Sequence, residues 1–262
     1  SIVSQFKYAK TEQVVTGIRK LGFHQVVEAA LGADITLYHE ASEWKEKGTL
    51  TTSCCPSFVM FVEKNFPELV KYISHSVSPM VEAAMLIKRT DPKGKVIFIG
   101  PCASKKAEYK LSKTQGAIDS VLSFEELQAF LDARHINVES LEETSLDNAS
   151  FYGRIFAKSG GITQGVAEVA KEMGVEGIRP IAMNGIDECR AALMKLKFNR
   201  ATENFFEGMA CDGGCLNGPL CLNHGPKNVV DVDKYGASAK EKTIENSVKL
   251  YKLSLGDSPK AE

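Results

Sequence analysis

The chain has 262 residues, 44% apolar and 25% charged, and its 32 basic and 33 acidic side chains leave a formal net charge of −1. That balance lacks the excess of Lys and Arg that a nucleic-acid footprint requires. No apolar run approaches the ~20 residues that a bilayer-spanning helix needs.

The opening SIVSQFKYAK has neither an apolar h-region nor a small-residue cleavage site, so a cytoplasmic location is expected. A chain of this length can bury a core without staples. Its cysteines number seven, and an odd count without a secretion signal speaks against a disulfide framework. Metal binding, catalysis or plain burial remain.

Taken in chain order, strands alternate with helices. Thr11 is placed to cap a helix carrying Val14, Val15, Ile18 and Leu21, with Gly22 ending it. Residues 24–30 read as a short strand and 34–47 as an amphipathic helix closed by Gly48. A strand over 50–53 runs into Cys54-Cys55-Pro56, and Pro56 suits the first turn of a helix striped by Val59, Phe61, Val62 and Phe66. The consecutive apolar residues 96–99 predict a strand covered on both faces, ending at Gly100-Pro101-Cys102. Ser123 and Glu126 form a capping box for a helix reaching Arg134.

Beyond a polar break at 139–150, Gly160-Gly161 open a helix to about Met173. A strand is predicted at 178–183, a helix at 186–198 and a short strand at 204–209 that stops before Cys211. A surface helix over 237–253 and a frayed end at 256–262 complete the reading. Such alternation predicts an α/β fold of mainly parallel sheet flanked by helices. The break suggests two lobes, roughly 1–145 and 146–262 with some exchange of segments. Cys54, Cys55, Cys102 and Cys211 all fall at C-terminal ends of predicted strands, where open α/β sheets place their ligands, so they are expected to meet in a cleft.

Soft thiolates suit zinc, copper(I) or iron–sulfur centres. Structural zinc usually takes two cysteine knuckles, and only Cys211 with Cys215 resembles one. The glycines between them suggest backbone N–H groups facing sulfide. Spacing alone leaves an iron–sulfur cluster, zinc and unliganded cysteines open. Plain readings stand beside these. Glu40 and Glu43 on one helix face would be solvated carboxylates, Lys105-Lys106 a solvated pair, Cys189 a small buried hydrophobe and Cys221 a structural thiol. The histidines show no ligand spacing; His39 is expected at the surface and His224 in loop hydrogen bonds. Gly160, Gly161 and Gly165 lack the Lys-Ser/Thr pair of a phosphate loop and are assigned to packing.

Three segments resemble the signature loops of the iron-only (iron–iron) hydrogenases. They are Thr52-Ser53-Cys54-Cys55-Pro56, Pro101-Cys102-x-x-Lys105-x-x-Glu108 and Glu207-x-Met209-x-Cys211-x-x-x-Cys215. The resemblance takes in Gly32-Ala33-Asp34 and Tyr152-Gly153-Arg154, and it is nearest a clostridial branch in which Phe58 and Gly100 replace a Trp and a Met.

The resemblance implies an H-cluster in the cleft between the lobes: a 4Fe–4S cubane joined to a diiron unit bearing CO, cyanide and azadithiolate. It implies Cys55, Cys102, Cys211 and Cys215 as cubane ligands, with Cys215 also bridging to the diiron unit. Cys54 would be the proton donor, Lys105 would hydrogen-bond one cyanide and Ser78-Pro79 would lie near the other. Met209 would pack on the diiron unit, and Glu108 closes the second motif. The family's proton relay would run through Glu40, Ser74 and Glu43, with Lys47 where relatives carry arginine. Met80 and Val81 stand where many relatives have glutamines.

The implied activity is reversible 2H⁺ + 2e⁻ ⇌ H2 in an anaerobic setting. The ferredoxin-like domains usual before Cys54 are not in this sequence. The expectation is therefore a minimal catalytic domain or an excised piece, fed by an external ferredoxin or ferredoxin-like domain. Hydrogenase maturation proteins would install the diiron unit. Competing readings are a sensory hydrogenase, a non-catalytic iron–sulfur assembly protein and a zinc-stabilised binding module.

Overall fold

The computed structural model describes residues 1–114, 116–147 and 149–250. Among them the strands are β1 (Leu50–Thr51), β2 (Ile97–Ile99), β3 (Ser120–Leu122), β4 (Pro180–Asn184) and β5 (Phe205–Met209). The helices are α1 (Thr11–Lys20), α2 (Ala30–Lys47), α3 (Pro56–Asn65), α4 (Pro79–Thr90), α5 (Lys105–Glu108), α6 (Phe124–Ala133), α7 (Phe151–Ile155), α8 (Gly161–Glu172), α9 (Gly185–Lys197), α10 (Lys227–Ala237) and α11 (Ile244–Leu250).

As expected, the fold is α/β with parallel sheets flanked by helices. One sheet has the order β1-β5-β4 and the other pairs β2 with β3; every pairing is parallel. β5 is central and buried at all five positions. β2 departs from its expectation: with one neighbouring strand, its three residues are half-buried rather than covered on both faces.

The largest correction concerns α2. It begins at Ala30 and absorbs the end of the expected strand; residues 24–29 form no strand. It is also not amphipathic. Leu31, Ile35, Leu37, Ala41 and Trp44 are buried, and so are Asp34, Thr36 and Glu40. A helix buried on all sides needs neighbours on all sides, and α4, α7, α8 and α11 pack around it. Against α4 the approach is so close that a Cβ on Gly32 would lie 2.0 Å from the Pro79 carbonyl oxygen. Gly48 ends the helix in the left-handed region (φ 74°), its N–H bonded to the Trp44 carbonyl.

Smaller differences follow local chemistry. Lys10, not Thr11, holds the cap position of α1, and its backbone N–H is taken by the Gln13 side chain at 3.0 Å. The capping box of α6 forms as expected: Ser123 Oγ accepts the Glu126 N–H at 3.0 Å, and Glu126 accepts the Ser123 N–H at 2.7 Å. The expected surface helix near the end is instead the close of α10 and then α11, whose Ile244 and Val248 are buried in the core beside α2. Residues 251–262, including the expected fray, lie outside the described residues. Helix α4 was legible in principle, since Pro79 behind Ser78 is a helix-start signal.

Candidate metal centre

Three loops leave the C-terminal ends of strands and meet. β1 runs through Thr52 and Ser53 to Cys54-Cys55, where Pro56 opens α3. β2 leads to Cys102 ahead of α5, and β5 leads to Cys211 and Cys215. Backbone contacts tie them together. The Cys55 sulfur receives the N–H groups of Ala210 and Phe58. Lys105 Nζ donates to the Cys54 carbonyl at 2.9 Å. The Leu220 N–H reaches the Pro101 carbonyl at 3.0 Å, and the Cys215 N–H reaches that of Ala157 at 2.8 Å. Gly213 and Gly214 turn the third loop with φ of 81° and 71°, a region that favours glycine. At Gly208 a Cβ would meet the Phe58 ring at 2.4 Å, so glycine lets α3 seat against β5.

The four thiols expected as ligands share one electrostatic environment. Burial, then the charges of Cys102 and Cys55, push the Cys215 thiol up. Burial, then Cys55 and Cys102, push Cys211 up to about 11. Burial also raises Cys55, against which the Ala210 and Phe58 N–H groups work. Cys102 Sγ lies 3.0 Å from Ser104 Oγ. Among the described residues, no three His, Cys, Asp or Glu groups gather tightly enough to hold one metal ion. Thiols from separate loops that act on one another through their charges suit a cubane, which spreads its cysteines over several irons.

Cys54 is 5% exposed, and burial, then the Glu40 carboxylate, raises its thiol pKa well above the ordinary value. Glu40 is fully buried on α2. Its Oε1 accepts the Ser53 N–H at 3.3 Å, and its Oε2 has no partner. Burial, only partly offset by that N–H, pushes Glu40 up to about 8. One turn further, Glu43 has the opposite setting. Burial works upward on it, but Lys47, Ser74 and the His75 N–H outweigh that and hold it below the ordinary carboxylate value. Ser74 Oγ donates to Glu43 at 2.7 Å. The expected bridge is therefore half made: Ser74 joins Glu43 and is not hydrogen-bonded to Glu40.

Other expected positions are equally specific. Lys105 is buried, and its ammonium serves the Cys54 carbonyl and Glu108. Burial alone would lower its pKa, but the Glu108 charge raises it. Ser78 caps the N-terminus of α4 in backbone conformation, while its buried Oγ has no partner. Pro79 is the first residue of that helix, and Met209 ends β5 in the same core cluster as Cys54. The plain readings of Glu40, Glu43 and Lys105 as solvated groups are thus overturned. His39 is not a free surface residue either: its Nδ1 lies 3.2 Å from Glu82 across the α2–α4 contact. His224 does bond within its loop, to the Gly218 carbonyl at 3.1 Å. Cys189 is fully buried, and the Cys221 thiol donates to the Leu216 carbonyl at 3.3 Å.

Three residues that the sequence motifs contain but give no role are buried supports. Asp34 accepts the Ser150 N–H (2.8 Å), Ser150 Oγ (2.6 Å) and Ser247 Oγ (2.6 Å), joining α2 to α7 and α11. Arg154 holds Glu28 through Nε (2.9 Å) and Nη2 (3.1 Å). Glu207 accepts the Gly160 and Thr163 N–H groups at 2.7 and 2.8 Å, fixing the start of α8 against β5. A lone glutamate inside the apolar run Phe205-Phe206-Glu207-Gly208-Met209 was the available signal.

Comparison with known proteins places this architecture. The model of the iron only hydrogenase large subunit, C-terminal domain, matches residues 2–219. The chain belongs to this family. It is 29% identical to iron hydrogenase 1 of Clostridium pasteurianum, over 94% of this chain and 54% of the relative. It is also 26% identical to a probable cytosolic Fe–S cluster assembly factor of Brugia malayi, over 76% of this chain and 55% of that protein. The chain thus spans about half the length of these curated relatives. A solved apo FeFe-hydrogenase from Chlamydomonas reinhardtii shares the fold, with a TM-score of 0.76 and 21% identity over 95% of this chain and 84% of that one.

Within the iron-only hydrogenase family the group to be held is an iron–sulfur cluster, and the donor set fits it. Four thiols come from three tied loops, backbone N–H groups already point at one sulfur, and Ser78 Oγ is buried without a partner. Lys105 has three N–H donors and spends two on Cys54 and Glu108. No helix among the described residues is long and apolar enough to cross a membrane.

Proposed function

We propose that this domain catalyses 2H⁺ + 2e⁻ ⇌ H2 at an H-cluster, whose cubane Cys55, Cys102, Cys211 and Cys215 would hold and whose diiron unit Cys215 would also tether. When bound, the cluster supplies an electron store and an open metal position at which protons and electrons combine. The electron partner would be a ferredoxin or ferredoxin-like domain, and maturation proteins would load the diiron unit, in an anaerobic cytoplasm.

The observation that carries this reading is Cys54. It is a fifth thiol beside the four, buried and kept protonated by its surroundings, with the Glu40 carboxylate acting on it. A thiol there can deliver or accept a proton at Sγ while Glu40, itself protonated up to about pH 8, resupplies it. Lys105 fixes the Cys54 backbone and offers its remaining N–H to an anionic ligand such as cyanide. Ser78 Oγ would serve a second such ligand, with Pro79 and Met209 as apolar walls excluding water. Glu108 pairs with the Lys105 ammonium and would hold it in place.

A second reading, cluster binding for assembly without H2 chemistry, is favoured by the relatives named as assembly factors. The proton-donor assignment separates the two. In the matured protein, Cys54→Ala should keep the infrared bands of CO and cyanide and lower H2 turnover by at least about a hundredfold. Full turnover in that variant removes Cys54 from the mechanism.

A further inference from the structure

The outer carboxylate of α2, Glu43, lies beside a residue that the family motifs do not assign. The segment after Ile73 runs alongside β1: Thr51 and Ile73 form a parallel bridge, and the Ser74 N–H donates to the Thr51 carbonyl at 2.8 Å. This places His75 over Glu43. The His75 backbone N–H donates to Glu43 Oε2 at 2.9 Å, and its ring Nδ1 lies 2.6 Å from Glu43 Oε1. The ring is 50% exposed, whereas Glu43 is 13% exposed.

Lys47 completes the group, with Nζ 2.7 Å from Glu43 and 3.1 Å from His75 Nδ1. Glu43 and Lys47 are the titratable side chains that face the ring among the described residues. A ring nitrogen serves one in-plane partner at a time. Nδ1 either carries a proton and donates it to Glu43, or lacks one and accepts from Lys47. Both states keep the Lys47–Glu43 pair, so the imidazole can change its proton without moving its neighbours.

We propose that His75 is the group through which the buried carboxylates exchange protons with bulk water. This deepens the hydrogenase reading and rests on α2 carrying protons. Outward, Glu43 passes the proton it has received to Nδ1 and becomes a carboxylate. The imidazolium then releases its Nε2 proton to water and is neutral again; rotation of the half-exposed ring brings Nδ1 to water, where Nδ1 gives up its proton and Nε2 takes one, and the starting tautomer is restored. Inward transfer is the reverse. Imidazole suits the task because it both gains and loses protons near neutral pH. Lys47, in the place where relatives carry arginine, keeps a fixed positive charge on Glu43 and does not itself have to release a proton.

The test reads the Glu40 acid group, which is 0% exposed and must exchange through its neighbours. Infrared spectroscopy on the full chain follows the Glu40 carboxylic C=O band, assigned by its loss in Glu40→Gln, after mixing into D2O. His75→Gln keeps the backbone N–H to Glu43 and should slow the exchange by at least about tenfold, with free imidazole in the buffer restoring it. An unchanged rate, or a slow rate that imidazole does not restore, overturns the proposal. The matured chain is assayed in parallel. Slow, rescued exchange without H2 turnover in the unaltered chain would sustain His75 as the exchange group while removing the hydrogenase reading.

Discussion

On one side of Cys54 the chain builds with loops, on the other with a single helix. The loop side is held by main-chain contacts and by glycines at close approaches: Ala210 and Phe58 to Cys55, Leu220 to Pro101, and Gly208 under Phe58. Its Cys211 and Cys215 thiols are raised by burial and by the charges of neighbouring cysteines. The helix side is held by side chains, and its two carboxylates differ sharply although one turn apart. Glu40 is pushed up to about 8, and Glu43 is held low by Lys47, Ser74 and His75. Backbone ties suit a rigid cradle for metal ligands, whereas unlike carboxylates in series suit proton movement.

The strongest way to break this contrast is at the loop side. Cys215→Ser should abolish cluster loading, measured as iron per chain after anaerobic reconstitution, because a hydroxyl is a poor substitute for a soft thiolate. Near-full iron content would show that Cys215 is not a ligand.

On the helix side the effect is one of pH. The folded-state pKa of Glu40 lies above the ordinary 4.5, so between 4.5 and about 8 the folded chain holds a proton that the unfolded chain has released. Stability contributed by protonated Glu40 is complete at low pH and falls as pH rises through that window. Glu40→Gln removes the titration, so its thermal midpoint should gain on that of the unaltered chain as pH rises from 4.5 to about 8 and hold that gain above it. Melting curves that keep the same difference at pH 5 and pH 9 contradict this account of Glu40.

The smallest effect returns to the glycines. Gly208→Ala forces the buried Phe58 ring to move and should cost about 1–3 kcal/mol by denaturant unfolding. A neutral result would mean that α3 is not seated by that contact.

The loop side was largely legible in the sequence. Strand ends, Gly-rich turns and cysteines are local signals, and the positions of Cys54, Cys55, Cys102 and Cys211 after β1, β2 and β5 follow from them. The helix side was legible only in part. Glu40 and Glu43 can be placed on one face by spacing, but the burial of Glu40 depends on α4, α7, α8 and α11 wrapping α2, and no pattern within residues 30–47 announces that. The supporting roles of Asp34, Arg154 and Glu207, which the motifs contain, were hidden for the same reason: a buried polar residue reads as exposed until its partner, distant in sequence, is known. His75 was passed over because its partners lie 28 and 32 residues away on α2.

The most direct measurement is infrared spectroscopy with an H2 assay on the chain after anaerobic treatment with hydrogenase maturation proteins. CO and cyanide bands accompanied by H2 turnover are the expected result. A loaded iron–sulfur cluster that shows neither bands nor turnover would contradict the account and leave an assembly role in its place.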